Sequence, residues 1–269
     1  DCYEITLFIN KKLIILEIKS FIMFRIVNLL FCFAFFSENS INFDIISDKY
    51  KYLKPVSLII NQICSKGIYD HVEGGIARYT VDDQWIVPHF EKMLYDNTQF
   101  ILLLSKYCKL NSDDYYKNKL IHTIEFVKKN FQNSEGFLGS AYDADSEGVE
   151  GKYYVFNYEE IKKIENIEDY FYISPEGNWE KKIILIEKKA PTREILKQLL
   201  SIRSKKKKPL FDDKTQLDLN CLWISSLIAA NEILPEKGYL KLAEVFFKKI
   251  EEKYINDKIY HSYSKDIVF

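Results

Sequence analysis

Residues 67–97 read GIYDHVEGGIARYTVDDQWIVPHFEKMLYDN, and this one stretch holds Asp70, His71, Arg78, Tyr79, Trp85, His89, Glu91 and Asp96. Carboxylates and imidazoles move protons near neutral pH, and a guanidinium can satisfy hydroxyls or an acid group. Tyrosine and tryptophan present apolar ring faces with a polar handle, the surface on which the apolar face of a pyranose stacks. An ordinary surface loop has no physical need for so many of these groups so close together. The set therefore reads as the wall of a ligand pocket, with Asp70, His71, Arg78, Tyr79, Trp85, Glu91 and Asp96 as substrate-binding candidates.

A second group, DADSEG, begins at Asp143. Neighbouring acids raise one another's pKa, which can keep one of them protonated near neutral pH. Asp143 and Asp145, together with His89, are the candidate catalytic residues. The spacing also imitates the start of a calcium loop, but Tyr154 stands at the twelfth position where a bidentate Glu is needed. The bland alternative is a loop held by its own side-chain bonds to backbone. His89-x-Glu91 is a start seen in zinc deaminases, but no Pro-Cys-x-x-Cys follows. Neither a metal nor a cofactor is expected.

The elements that must hold these groups are mostly helical. Gly74-Gly75 supplies backbone freedom for a tight approach, and Pro88 suits the first turn of a helix. A helix over 89–108 is expected, with His89 and Asp96 seven residues apart on one face and Glu91 turned away. That pair reads equally as a base with its neighbour or as a polar brace between helices. The apolar run of residues 100–104 marks the helix as an inner one. Upstream, Ser47 caps a short helix, and Pro55 restarts one that runs to Cys64. Ser112 caps the next downstream helix, whose Tyr116, Leu120, Ile124, Val127 and Phe131 form one apolar face. Strands are expected over 152–156 and 179–187. Asn157 with Glu160 is a capping box, and Thr192 caps a helix ending in the basic run 203–208, of which Lys205 to Lys208 read as a solvated helix end. Long helices follow around Leu219 to Ala230 and over 239–254.

Composition sets the bounds. The chain has 269 residues, 47% hydrophobic and 29% charged, as in a globular protein, and a net charge of −1 that gives no reason to expect nucleic acid. Its five cysteines are scattered without a C-x-x-C, which fits reduced thiols in the cytoplasm and removes the usual redox motif. Residues 1–45 form an apolar segment that resists assignment. Arg25 and Asn28 interrupt it, leaving less than the ~18–20 apolar residues a membrane span needs, so no membrane partner is expected.

Three strings together resemble the thioredoxin-domain-containing, spermatogenesis-associated protein 20-like family. They are the first stretch, from GIYDH through W-x-VPHFEKMLYDN; DADSEG-x-EGKYY; and R-x-x-K-x-x-P-x-x-DDK ahead of Asn220. The resemblance implies a thioredoxin-like domain followed by an (α/α)6 toroid related to sugar epimerases and six-hairpin glycosidases. It adds Asp212, Asp213 and Lys214, the DDK motif, as a second wall of the pocket. Glu73, Leu219 and Cys221 depart from the family pattern. The expected fold is mostly α: an incomplete toroid with short β-hairpins in its loops, over 46–269, without the thioredoxin-like domain. A fragment of this kind would leave apolar flanks that favour self-association. The expected function is a pocket that binds or processes a small carbohydrate, as an epimerase or glycosidase relative. The alternative is a non-catalytic sugar-binding or scaffold domain beside a redox domain.

Overall fold

The structure, a computed structural model, describes residues 43–254, 261–264 and 267–268. Most of the apolar segment 1–45 lies outside the described residues. The chain divides into two compact units, Asp1–Gln62 and Ile63–Phe269. The described part of the first belongs to α1, Phe43–Ser65, one continuous helix in which Ser47 and Pro55 are both interior. The expected break at Pro55 is absent, and α1 stops just before Gly67.

In the second unit, α2 (Leu94–Leu110) is the central element, with buried residues around most of its circumference. It packs against α3 (Asp114–Asn130) and α7 (Leu217–Ile233), and α7 packs against α8 (Tyr239–Tyr254). These are antiparallel helical hairpins with short strands in the connections, the arrangement expected of an (α/α) toroid. α3 shows the single apolar face read from the sequence, but its cap is Asp113, which accepts from the Tyr115 N–H. Thr192 caps α6 (Arg193–Arg203) through the Ile195 N–H. Glu160 accepts from the Asn157 N–H at 3.1 Å, closing the capping box of α4 (Tyr158–Ile161).

α2 and α7 are built alike. Each follows a two-residue strand, β3 (Lys92–Met93) and β8 (Thr215–Gln216), and each has an asparagine at its fourth position. Asn97 clamps the backbone N–H and C=O of Ile76 at 2.8 and 3.1 Å and bonds the Met93 carbonyl at 2.9 Å. Asn220 does the same to Leu138, at 2.9 and 3.0 Å, and to the Gln216 carbonyl at 2.8 Å. Leu94-Tyr-Asp-Asn and Leu217-Asp-Leu-Asn are thus two copies of one device that ties an incoming loop to an inner helix.

Two expectations fail here. Pro88–His89 is a strand, β2, antiparallel to β1 (Tyr79–Thr80), and the helix begins at Leu94 instead of near His89. His89 and Asp96 therefore share no helix face. Residues 152–156 are turns ending in a single bridge from Phe156 to Ile183, and the segment after Trp179 makes isolated bridges. Its apolar run serves a side core, in which Ile183, Leu185, Phe156, Phe171 and Leu199 pack with α4, α5 (Ile167–Tyr170) and α6.

Candidate functional site

One small sheet draws the three sequence motifs together. β4 (Ala141–Tyr142) lies between β3 and β7 (Phe211–Asp212), with Lys92 opposite Tyr142 and Ala141 opposite Asp212. Each strand lies in or beside one motif, so residues from 48 to 71 positions apart are paired.

Beneath the sheet lies a buried ionic network. Asp70 takes hydrogen bonds from Arg203 at 2.7 and 2.8 Å and from Lys92 at 2.7 Å, and its Oδ1 accepts from the Val72 N–H. Burial alone would raise the Asp70 carboxyl, but Arg203 and Lys92 outweigh it and hold it far below the carboxylate range. Arg203 also donates to the Tyr154 carbonyl, and its guanidinium lies 5.4–5.6 Å from the rings of Tyr153, Tyr154 and Phe156. Next to it, Glu187 accepts from Lys119 at 2.7 Å and lies 3.2 Å from His71 Nδ1. Burial pushes the Glu187 carboxyl up, yet His71 and Lys119 bring it down to about 2. His71 is lowered by burial and by Lys119. Asp70, His71, Lys92, Tyr154 and Arg203 line a cavity of about 30 Å³. That is room for about one water, whereas ligand pockets run to hundreds of Å³. The predicted substrate-binding pair Asp70 and His71 is therefore a core brace between motifs.

Arg203, at the head of the basic run, is 2% exposed, whereas Lys205, Lys207 and Lys208 are exposed as the solvated helix end requires. Lys206 bonds the Val155 carbonyl, and Lys208 reaches Asn130 Oδ1 at 3.0 Å. Burial lowers Lys206 to about 8.

The second cluster sits at the surface, on the β1–β2 ribbon and the first turn of α2. Arg78 donates to Glu91 at 2.9 Å, both side chains about a quarter to a third exposed. Tyr79 stacks on His89, centroids 5.0 Å apart at 19°, and His89 Nδ1 lies 2.9 Å from Glu150 Oε1. Glu150 stands opposite Asp145 in the β5–β6 hairpin (Asp145–Ser146, Val149–Glu150), so their side chains share a face. Behind Arg78 and Glu91 lies Asp96, 7% exposed, with Oδ2 buried and without a hydrogen-bond partner among the described residues. Burial raises the Asp96 carboxyl to about 8; Arg78 pulls the other way and Glu91 adds to the rise.

The remaining candidates sit in turns and loops. Trp85 sits in a turn at φ +64°, and Asp82 accepts from the Gln84, Ile86 and Val87 amides of the same turn. Asp143 is exposed; its N–H bonds the Leu210 carbonyl and its Oδ1 accepts from the Asp145 N–H. Asp212 and Asp213 are exposed. Asp212 Oδ1 accepts from the Lys214 N–H, while the Asp213 and Lys214 carbonyls accept from Asn133 and Ser140. Asp143 and the DDK motif thus contribute backbone order to the loops around the sheet. Among the described residues no group of three His, Cys, Asp or Glu is placed to hold a metal, and no helix is long and apolar enough to cross a membrane.

Sequence reasoning missed Lys92, Lys119, Glu187 and the burial of Arg203. Lys119 carried a signal: it lies three residues after Tyr116 and so borders the apolar face of α3.

No protein-family model matches the chain. Spermatogenesis-associated protein 20 of Homo sapiens is 36% identical over 111 residues, covering 39% of this chain and 14% of the relative; the Mus musculus protein of that name is 33% identical over the same length. An uncharacterized Caenorhabditis elegans protein is 28% identical over 233 residues, covering 69% of this chain and 32% of the relative. The chain thus spans 14% to 32% of the length of the curated relatives it matches. Among solved structures, a family 76 glycoside hydrolase from a bovine Bacteroides thetaiotaomicron strain superposes with a TM-score of 0.50 at 12% identity, over 85% of this chain and 34% of that chain. That likeness fixes the fold as the (α/α) toroid of six-hairpin glycosidases. A D-mannose isomerase superposes with a TM-score of 0.30 over 79% of this chain and 56% of that chain, at 14% identity.

Proposed function

We propose, from the homology to spermatogenesis-associated protein 20 and the fold shared with a glycoside hydrolase, that this domain binds a small carbohydrate at the rim formed by Arg78, Tyr79, His89 and Glu91. The observation that carries the reading is the pairing at that rim: an accessible Arg78–Glu91 ion pair acts on Asp96, whose Oδ2 is buried without a hydrogen-bond partner among the described residues. Carboxyl groups whose surroundings push one of them upward are the arrangement that acid–base chemistry on sugars employs. The Tyr79–His89 stack supplies the flat apolar surface beside them, and Glu150 and Asp145 extend the acidic side. Carbohydrate processing, by epimerase- or glycosidase-like chemistry, is the activity this site would support.

A second reading is a non-catalytic sugar-binding or scaffold domain that works beside a thioredoxin-like redox domain. The exposure of Asp143 and Asp145 favours it, since their recorded bonds order the loop. Calorimetric titration with mono- and disaccharides tests the common element. Saturable binding that R78A and E91A weaken tenfold or more is expected. The absence of heat with every saccharide would end the first reading and leave only the scaffold form of the second.

A further inference from the structure

The repeated device at the start of α2 and α7 isolates one position. Asp96 is the third residue of α2, and Leu219 is the third residue of α7, between the same leucine and the same clamping asparagine. The two are equally enclosed, at 7% and 9% exposure. The hairpin therefore accepts a plain apolar side chain at this site, and the fold does not require an acid there. An acid with a buried Oδ2 and no partner is a cost that packing would remove. Glu91 already engages the Arg78 guanidinium at 2.9 Å, and burial, with Glu91 adding to it, raises the Asp96 carboxyl against the pull of Arg78.

We infer that Asp96 acts as a neutral carboxylic acid, donating a hydrogen bond to an oxygen that carries no hydrogen of its own, the ring or glycosidic oxygen of a saccharide held at the Arg78–Glu91 rim. This rests on the saccharide reading above and narrows it. A carboxylate can only accept, and so cannot bond an ether oxygen; a carboxylic acid can donate, and so can. The charged or titratable groups that act on Asp96 are Arg78 and Glu91 from the ribbon and Tyr95 beside it on α2. The Glu91 hydrogen bond raises Arg78, and burial raises Tyr95 to about 12, so neither titrates between pH 7 and 9.

The experiment titrates the whole chain with a panel of methyl glycosides from pH 6 to 9. For the best binder, affinity in the unaltered protein should fall on the order of tenfold between pH 7 and 9, as the acid loses its proton. D96N retains a donor without a titrating group, so it should bind within about threefold of the unaltered protein and show a flat profile. D96L copies the side chain found at the equivalent site in α7; it should fold, as circular dichroism would report, and lose binding. A flat profile in the unaltered protein, or normal binding by folded D96L, overturns the role of Asp96 and leaves the saccharide site standing. No binding to any glycoside at any pH overturns the site itself and this inference with it.

Discussion

Arg203 and Asp70 are 133 residues apart in sequence and joined by hydrogen bonds of 2.7 and 2.8 Å in the core. The pair ties the first motif to the third, and Lys92 completes it from the strand that leads into α2. Removing one member strands a buried charge. R203M should therefore cost about 3–5 kcal/mol of stability in urea denaturation. A cost below about 1 kcal/mol would show that the pair is solvated.

Acid should act in two stages. Burial and Lys119 depress the His122 imidazole to about 4, so the unfolded chain takes up that proton first. Stability then falls as pH drops from about 6.5 towards 4. Glu187, brought down to about 2, and Asp70, held lower still, contribute stability that is complete above the ordinary carboxylate range and lost as pH falls from that range through their depressed values. Thermal melts between pH 7 and 2 should show both stages, and H122Q should reduce the upper one, the rest of which comes from His71, lowered by burial and Lys119. A melting temperature constant from pH 7 to 4.5 would contradict the assignment.

The asparagine clamps make a paired prediction. N97A and N220A each remove three hydrogen bonds and leave backbone groups of Ile76 or Leu138 buried without partners. Each should cost about 2–4 kcal/mol, and the two costs should be similar. A large cost at one and none at the other would show that the two hairpin starts are not equivalent.

Glycine at 75 should be far less replaceable than glycine at 148. Both have positive φ, +78° and +72°, but a Cβ at Gly75 would run into Phe126 and, at 2.6 Å, into Asn97 Oδ1. A Cβ at Gly148 meets nothing within 4 Å. G148A should cost about 1 kcal/mol from backbone strain alone, and G75A clearly more. Equal costs would mean that the clamp around Asn97 yields easily.

Much of this fold is legible because helices announce themselves locally. The face of α3, the Thr192 cap and the Asn157–Glu160 box depend only on residues within a few turns. What escaped depends on distant partners. Pro88 and His89 read as a helix start because proline fits one, but pairing with Tyr79–Thr80 takes them into a ribbon. Arg203 ends a helix just ahead of a run of lysines, with nothing local to mark it as buried; only Asp70, far away in sequence, makes its burial favourable. The polar residues of the first motif look alike in sequence, yet they part in space. Asp70 and His71 enter the core, while Arg78, Tyr79, His89 and Glu91 line the rim.

The claim that a saccharide binds at this rim is tested most directly by amide chemical-shift mapping during a titration with methyl glycosides. The account predicts that saturable shifts gather at residues 78–80, 89–97 and 145–150, with the side-chain signals of Arg78 and Tyr79 among them. Shifts confined to other faces of the domain, or none at saturating glycoside, would contradict it.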